Sequence, residues 1–118
     1  MELPGPRILD SPIDRRALSA LAADQFGEMI KAAVDVGREV VAIGGELHSD
    51  EEGLLLEDGS AQSDIWGVNL YPATEGDDWV EFDSMINIRP SQGNRSRSVD
   101  NEAVRERIRA VLGRWITG

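Results

Sequence analysis

Two hydrophobic periods alternate along this chain. Ile13, Ala17, Leu18, Leu21, Ala22 and Phe26 recur at steps of three and four, which gathers them on one face of a helix. Ser11-Pro12 supplies the expected start, with Ser11 at the N-cap and the proline in the first turn, and Gly27 suits the end. A second helix is expected where Ser49 and Glu52 form a capping box and Asp50 and Glu51 load the first turn with negative charge. Leu54, Leu55 and Leu56 give it a buried side, and Gly59 closes it. Val104, Ile108, Val111, Leu112 and Trp115 stripe a third helix from about Asp100 to Trp115.

Between these helices the period drops to two. Arg7 to Leu9 can form a short strand. Met29–Val36 and Glu39–Ile43 read as a hairpin about Gly37-Arg38, in a type II′ turn that sets Val34 opposite Val41 and Ala32 opposite Ile43. Lysine and alanine in MIKAAVDV also suit a helix, but Val34, Val36, Val40 and Val41 favour strands. Ile65–Tyr71 and Trp79–Arg89 form a second hairpin if Leu70 pairs with Val80 and Val68 with Phe82. Val80, Phe82, Ser84, Ile86 and Ile88 then face the core, and Trp79, Glu81, Asp83, Met85, Asn87 and Arg89 face away beside Gly67, Asn69 and Tyr71. The order βαββαββα points to an α+β fold, an antiparallel sheet of four to five strands with three helices mainly on one face. No repeat or linker divides residues 1–118, so a single domain is expected.

Composition narrows the functional classes. An apolar fraction of 41% in 118 residues is enough for one core. With no cysteine there is no disulfide framework and no thiolate chemistry. No apolar run could span a bilayer, and MELPGPRILD lacks the basic start and apolar stretch of a signal peptide, so a cytoplasmic location is expected. A net charge of −10 disfavours nucleic acid as a partner. That charge is uneven. Residues 1–88 hold five Lys/Arg against nineteen Asp/Glu, giving −14, whereas residues 89–118 hold seven arginines against three acids, giving +4. Either the C-terminal arginines pair with acids elsewhere in the fold, or they mark a site for an anion.

The candidate chemistry clusters in residues 81–97. Arg89, Arg95 and Arg97 carry forked donors for carboxylate or phosphate, and Gly93 and Asn94 allow tight bends, in a loop that leads into the third helix. Asp100 and Glu102 would offset the field there, and no Walker pattern is present. With the strand residues Glu81, Asp83 and Asn87, these arginines and Asn94 form the candidate anion- or partner-binding set. Its structural alternative is a loop tied down by internal salt bridges. Glu81 and Asp83 could also divide acid and base roles, joined by Asn87 and Arg89 in a hydrolase-like cleft, although no G-x-S-x-G elbow accompanies them and no catalytic residue is identified. Glu46 and His48, with Asp50 to Glu52, could ligate Mn²⁺ or Mg²⁺, but those acids have sufficient work at a helix start, and no metal or other cofactor is expected. Trp79 and Tyr71 read either as a cross-strand pair or as a partner contact.

Three segments, GGELHSDEEGLLLEDGS, WGVNLYP and FDSMINIRPSQGNRSR, resemble a family of small proteins known only as a domain of unknown function. The resemblance runs from PRILDSPIDRRAL to the last helix. It implies a family-wide role for those segments and assigns no activity. The expectation is therefore a non-catalytic binding or interaction module that recognises an acidic partner or small anion, with homo-oligomerisation as its simplest form. A small hydrolase-like enzyme using Asp83, Glu81, Asn87 and Arg89 is the alternative.

Overall fold

The computed structural model describes residues 5–118. The valine-rich segments form β3 (Ile30–Asp35) and β4 (Val40–Ile43), and WGVNL lies in β5 (Ile65–Leu70). Two shorter strands, β1 (Arg7–Ile8) and β6 (Val80–Glu81), complete an antiparallel sheet in the order β1-β4-β3-β5-β6. Of the expected pairings, Val34 lies opposite Val41, Ala32 opposite Ile43 and Leu70 opposite Val80, whereas Val68 and Phe82 are not paired because β6 ends at Glu81.

Strand alternation divides the interior into two layers. Ile30, Ala32, Val34, Val41, Ile43, Val68 and Leu70 pack with Leu18 and Ala22 of α1 (Arg15–Ala23) and with Ile108 and Leu112 of α3 (Glu102–Trp115). On the opposite face Ala33, Ala42 and Ile65 meet Leu55 of α2 (His48–Glu57). Small side chains at Ala33 and Ala42 let α2 lie close to the sheet. Two helices therefore cover one face and one covers the other, and β3 and β5 are buried on both sides. No helix among the described residues is long and apolar enough to cross a membrane.

Several local expectations are overruled by tertiary contacts. Ser11 does not cap α1. Ile13 and Asp14 form β2 (Ile13–Asp14), which runs parallel to β7 (Ile116–Thr117), so Asp14 becomes the N-cap and its Oδ1 accepts the Ala17 N–H at 2.7 Å. The β3–β4 connection is a four-residue turn rather than a type II′ turn. Asp35 Oδ1 accepts the N–H groups of Gly37 and Arg38, and Glu39 takes the left-handed conformation at φ 58°. The capping box at Ser49 is absent because α2 begins two residues earlier, with Leu47 at its N-cap and no side chain capping it.

The largest departure follows β6. The expected strand Trp79–Arg89 pairs only at Val80 and Glu81 and then turns away. Ser84 donates its N–H to Arg97 O, its Oγ accepts the Ile86 N–H, and Met85–Asn87 forms a 3₁₀ turn. Ile86 thus joins the layer under α2 instead of the α1/α3 core, and Ile88 lies at the surface.

Candidate functional site

The turn after β6 is held by an asparagine side chain doing the work of a strand. Asn87 is fully buried; its Oδ1 accepts the Gly67 N–H at 2.8 Å, and its Nδ2 donates to Gly67 O and to Arg97 O at 3.0 Å each. Gly67 makes this possible. A Cβ there would stand 2.6 Å from Ser84 Cβ and 3.1 Å from His48 Cδ2, so only glycine lets the serine and the histidine approach β5 this closely.

That close approach builds a cleft of about 190 Å³ at the start of α2, lined by Leu47, His48, Ser49, Lys31, Asn69, Asp83 and Arg97 among others. The register explains the convergence. Lys31 of β3 lies opposite Asn69 of β5, which lies opposite Glu81 of β6, so one polar row crosses three strands on the α2 face. Each of the three sequence segments singled out above contributes to the cleft, through His48, Asn69 and the Asp83–Arg97 pair.

The groups differ in how they are engaged. His48 Nε2 lies 2.8 Å from the Val68 carbonyl, which can only accept, so Nε2 carries the proton and Nδ1 the lone pair. Burial lowers the pKa of His48, with the Lys31 ammonium adding to the effect and the Val68 bond, Asp83 and the neighbouring Asn69 side chain opposing it. Asn69 Nδ2 donates to Glu81 Oε1 at 2.8 Å and to Asp83 O at 3.2 Å, while its Oδ1 is buried without a hydrogen-bond partner. Asp83 Oδ1 pairs with Arg97 Nε at 2.7 Å. Lys31 has no carboxylate within salt-bridge distance among the described residues; its ammonium stands 5.1 Å from the Phe26 ring centre.

Behind the cleft Glu51 is fully buried. Its Oε2 accepts the Gly45 N–H at 2.9 Å and its Oε1 has no partner. Burial raises its pKa well above the ordinary 4.5, outweighing the Gly45 bond and the Lys31 charge. The unfolded carboxyl ionises near 4.5 while the folded one keeps its proton, so the native state binds more protons and loses stability as pH rises above 4.5. Glu51→Gln is therefore expected to melt at a higher temperature than the parent at pH 7 and at a similar temperature at pH 4. A variant less stable than the parent at pH 7 would show that the carboxylate is ionised in the fold.

Not all of the candidate anion-binding residues meet here. Asp83 and Arg97 line the cleft, and Glu81 borders it through Asn69. Arg89 is committed elsewhere: Nε donates to Ile86 O and a terminal nitrogen to Ile65 O, with the guanidinium 4.6 Å from the Trp66 ring centre. Asn94 ties the basic loop together, donating to Asn87 O, Ser96 O and Ser98 O and accepting the Asp100 N–H. Arg95 is exposed. The hydrolase-like set of Asp83, Glu81, Asn87 and Arg89 is thus split, because the last two hold backbone groups. Glu46 is exposed, and no group of three or more His, Asp or Glu side chains placed to hold a metal occurs among the described residues. Trp79 packs on the α1/α3 core under the Arg15 guanidinium at 3.8 Å, and Tyr71 Oη donates to Glu81 at 3.4 Å. Lys31 was absent from the expected set, although a signal existed: it is the only lysine in the chain, as His48 is the only histidine.

A larger cleft of about 390 Å³ beside the start of α3 is lined by Gln92, Asn94 and Arg107. Those side chains bond Ser63 O, loop carbonyls and Val36 O, respectively.

A family model described as a protein of unknown function (DUF5674) matches residues 7–115, and the chain belongs to that family. No curated protein and no solved structure matches it.

Proposed function

We propose that this member of the family is a non-catalytic binding module and that the cleft at the start of α2 takes a small anion. The observation that carries this reading is the pairing of a helix start that no side chain caps with a lysine that has no carboxylate partner among the described residues. The first N–H groups of an α-helix have no acceptor within the helix, and its N-terminus carries roughly half a positive charge. Here no side chain caps those groups, and Leu47, His48 and Ser49 of the helix start line the same cleft as Lys31. Of the three charged side chains that line the cleft, Asp83 and Arg97 pair with each other, which leaves Lys31 as the lining charge without an ionic partner among the described residues. His48, kept neutral by burial near pH 7, donates toward Val68 and is a hydrogen-bonding wall rather than a second charge.

Because His48 is the only histidine, its ring protons give one NMR reporter inside the cleft. Titration with inorganic phosphate and with 4-methylpentanoate is expected to move that signal saturably. Lys31→Met keeps most of the aliphatic stem and removes the charge, so binding should weaken about 10–100-fold, as for loss of one charged hydrogen bond. Full retention of affinity in Lys31→Met, or no response of the parent to either anion, overturns the proposal.

A further inference from the structure

Resting on that reading of the cleft, we infer that the anion is taken up together with one proton, held at Nδ1 of His48, so that acid tightens the site and alkali loosens it. His48 is only 8% exposed, and it lines the cleft together with Lys31. Its Nε2–H is committed to the Val68 carbonyl, which fixes the ring and leaves the lone pair on Nδ1. Nδ1 has no hydrogen-bond partner among the described residues, and it is not one of the unpaired polar atoms sealed from solvent. A side chain that is otherwise buried and bonded therefore keeps one nitrogen free.

Neutral Nδ1 can only accept a hydrogen bond, and so can a fully ionised anion, so the two repel. A proton on Nδ1 turns that repulsion into a charge-assisted bond. The surrounding charges decide when the proton arrives. Burial and the Lys31 ammonium of β3 keep His48 neutral in the free protein. Asp83, in the turn after β6, favours the imidazolium, but it is paired with Arg97. On α2 itself, burial holds the proton on Glu51, and Asp50 is exposed. An anion on Lys31 cancels the opposing charge and adds a negative one, which draws a proton from solvent to Nδ1. The effect is reciprocal: the proton strengthens anion binding by the same factor as the anion strengthens proton binding. The bound state holds more protons than the free state. Affinity is thus greatest below the pKa of His48 in the free protein and falls as pH rises through its pKa in the complex.

The test follows the His48 ring by NMR in the wild-type protein from about pH 5 to about pH 8, with and without sulfate at constant ionic strength. Sulfate carries no proton in that range, whereas phosphate can offer its own O–H to Nδ1. In saturating sulfate the pKa of His48 is expected to lie at least about one pH unit higher, and sulfate should bind about tenfold more tightly at the acid end. His48→Gln retains an N–H donor but has no proton to gain, so its sulfate affinity should be constant with pH. Lys31→Met, without sulfate, should titrate at a higher pH than the parent, because the opposing ammonium is gone. An unaltered His48 pKa in Lys31→Met, or a pH dependence that persists in His48→Gln, overturns the coupling. If sulfate moves the ring signal saturably but does not raise the pKa, or if phosphate or 4-methylpentanoate moves it and sulfate does not, proton uptake at His48 is overturned and the anion site stands. If none of the three anions moves the signal, both readings are lost.

Discussion

Replacing Asn87 with leucine is expected to remove about 3–5 kcal/mol of stability, seen as a lower urea midpoint with an unchanged slope. The two side chains are similar in size, so the effect isolates the amide. Asn87 satisfies the N–H and C=O of Gly67 and the carbonyl of Arg97, all close to the sheet. Leucine leaves those three backbone groups without partners, at about 1–3 kcal/mol each before relaxation. Against the roughly 5–15 kcal/mol that holds a typical domain, this is a fifth or more. Hydrogen exchange adds a local reading, for the Gly67 amide should lose protection even under conditions where the fold survives. A loss below about 1 kcal/mol would mean that water or a shifted strand serves Gly67 as well as the asparagine does.

Gly67→Ala should cost about 2–3 kcal/mol by a different route, the overpacking of a filled space. Its backbone does not need the left-handed region, so alanine meets no torsional penalty. The cost is steric, with the new methyl 2.6 Å from Ser84 Cβ and Oγ. Ser84→Gly in the same chain removes the opposing atoms, so the double variant should recover much of the loss, a coupling that a double-mutant cycle measures directly. The ring signal of His48 should shift in Gly67→Ala and return toward its parent position in the double variant. Additive losses would place the damage elsewhere than at this contact.

The same residues explain what could and could not be read from the sequence. The β3–β4 register was legible because Ala32, Val34, Val41 and Ile43 leave only one pairing that buries all four. The Leu70–Val80 pairing was legible for the same reason. The length of β6 was not, because the alternation from Val80 through Ile88 continues after the chain has turned at Asp83. Helix starts were misplaced where distant partners decide them: Ile116 and Thr117 draw Ile13 and Asp14 into a strand, and Gly45 draws Glu51 inward. Within residues 81–97 the sequence marks polar side chains but not their acceptors. Asn87, Arg89 and Asn94 bond backbone, whereas Asp83 and Arg97 reach the cleft. Residue type is the same for both fates, and only geometry separates them. Lys31 was obscured by lying in an apolar run, MIKAAV, whose pattern explains the strand without explaining its one charge.

The parallel contact of β2 with β7 has a mechanical consequence. Ile13 lies beside Ile116 and Asp14 beside Thr117 with both strands running the same way. A tether attached at Ser11 and Gly118 and drawn apart would pull β2 backward and β7 forward, sliding one along the other. The load would then fall on the whole contact at once rather than peeling it open from one end. This short latch would have to slip before tension reached α1, α3 or the larger sheet. The cleft at α2 would thus be shielded from strain applied at those two points.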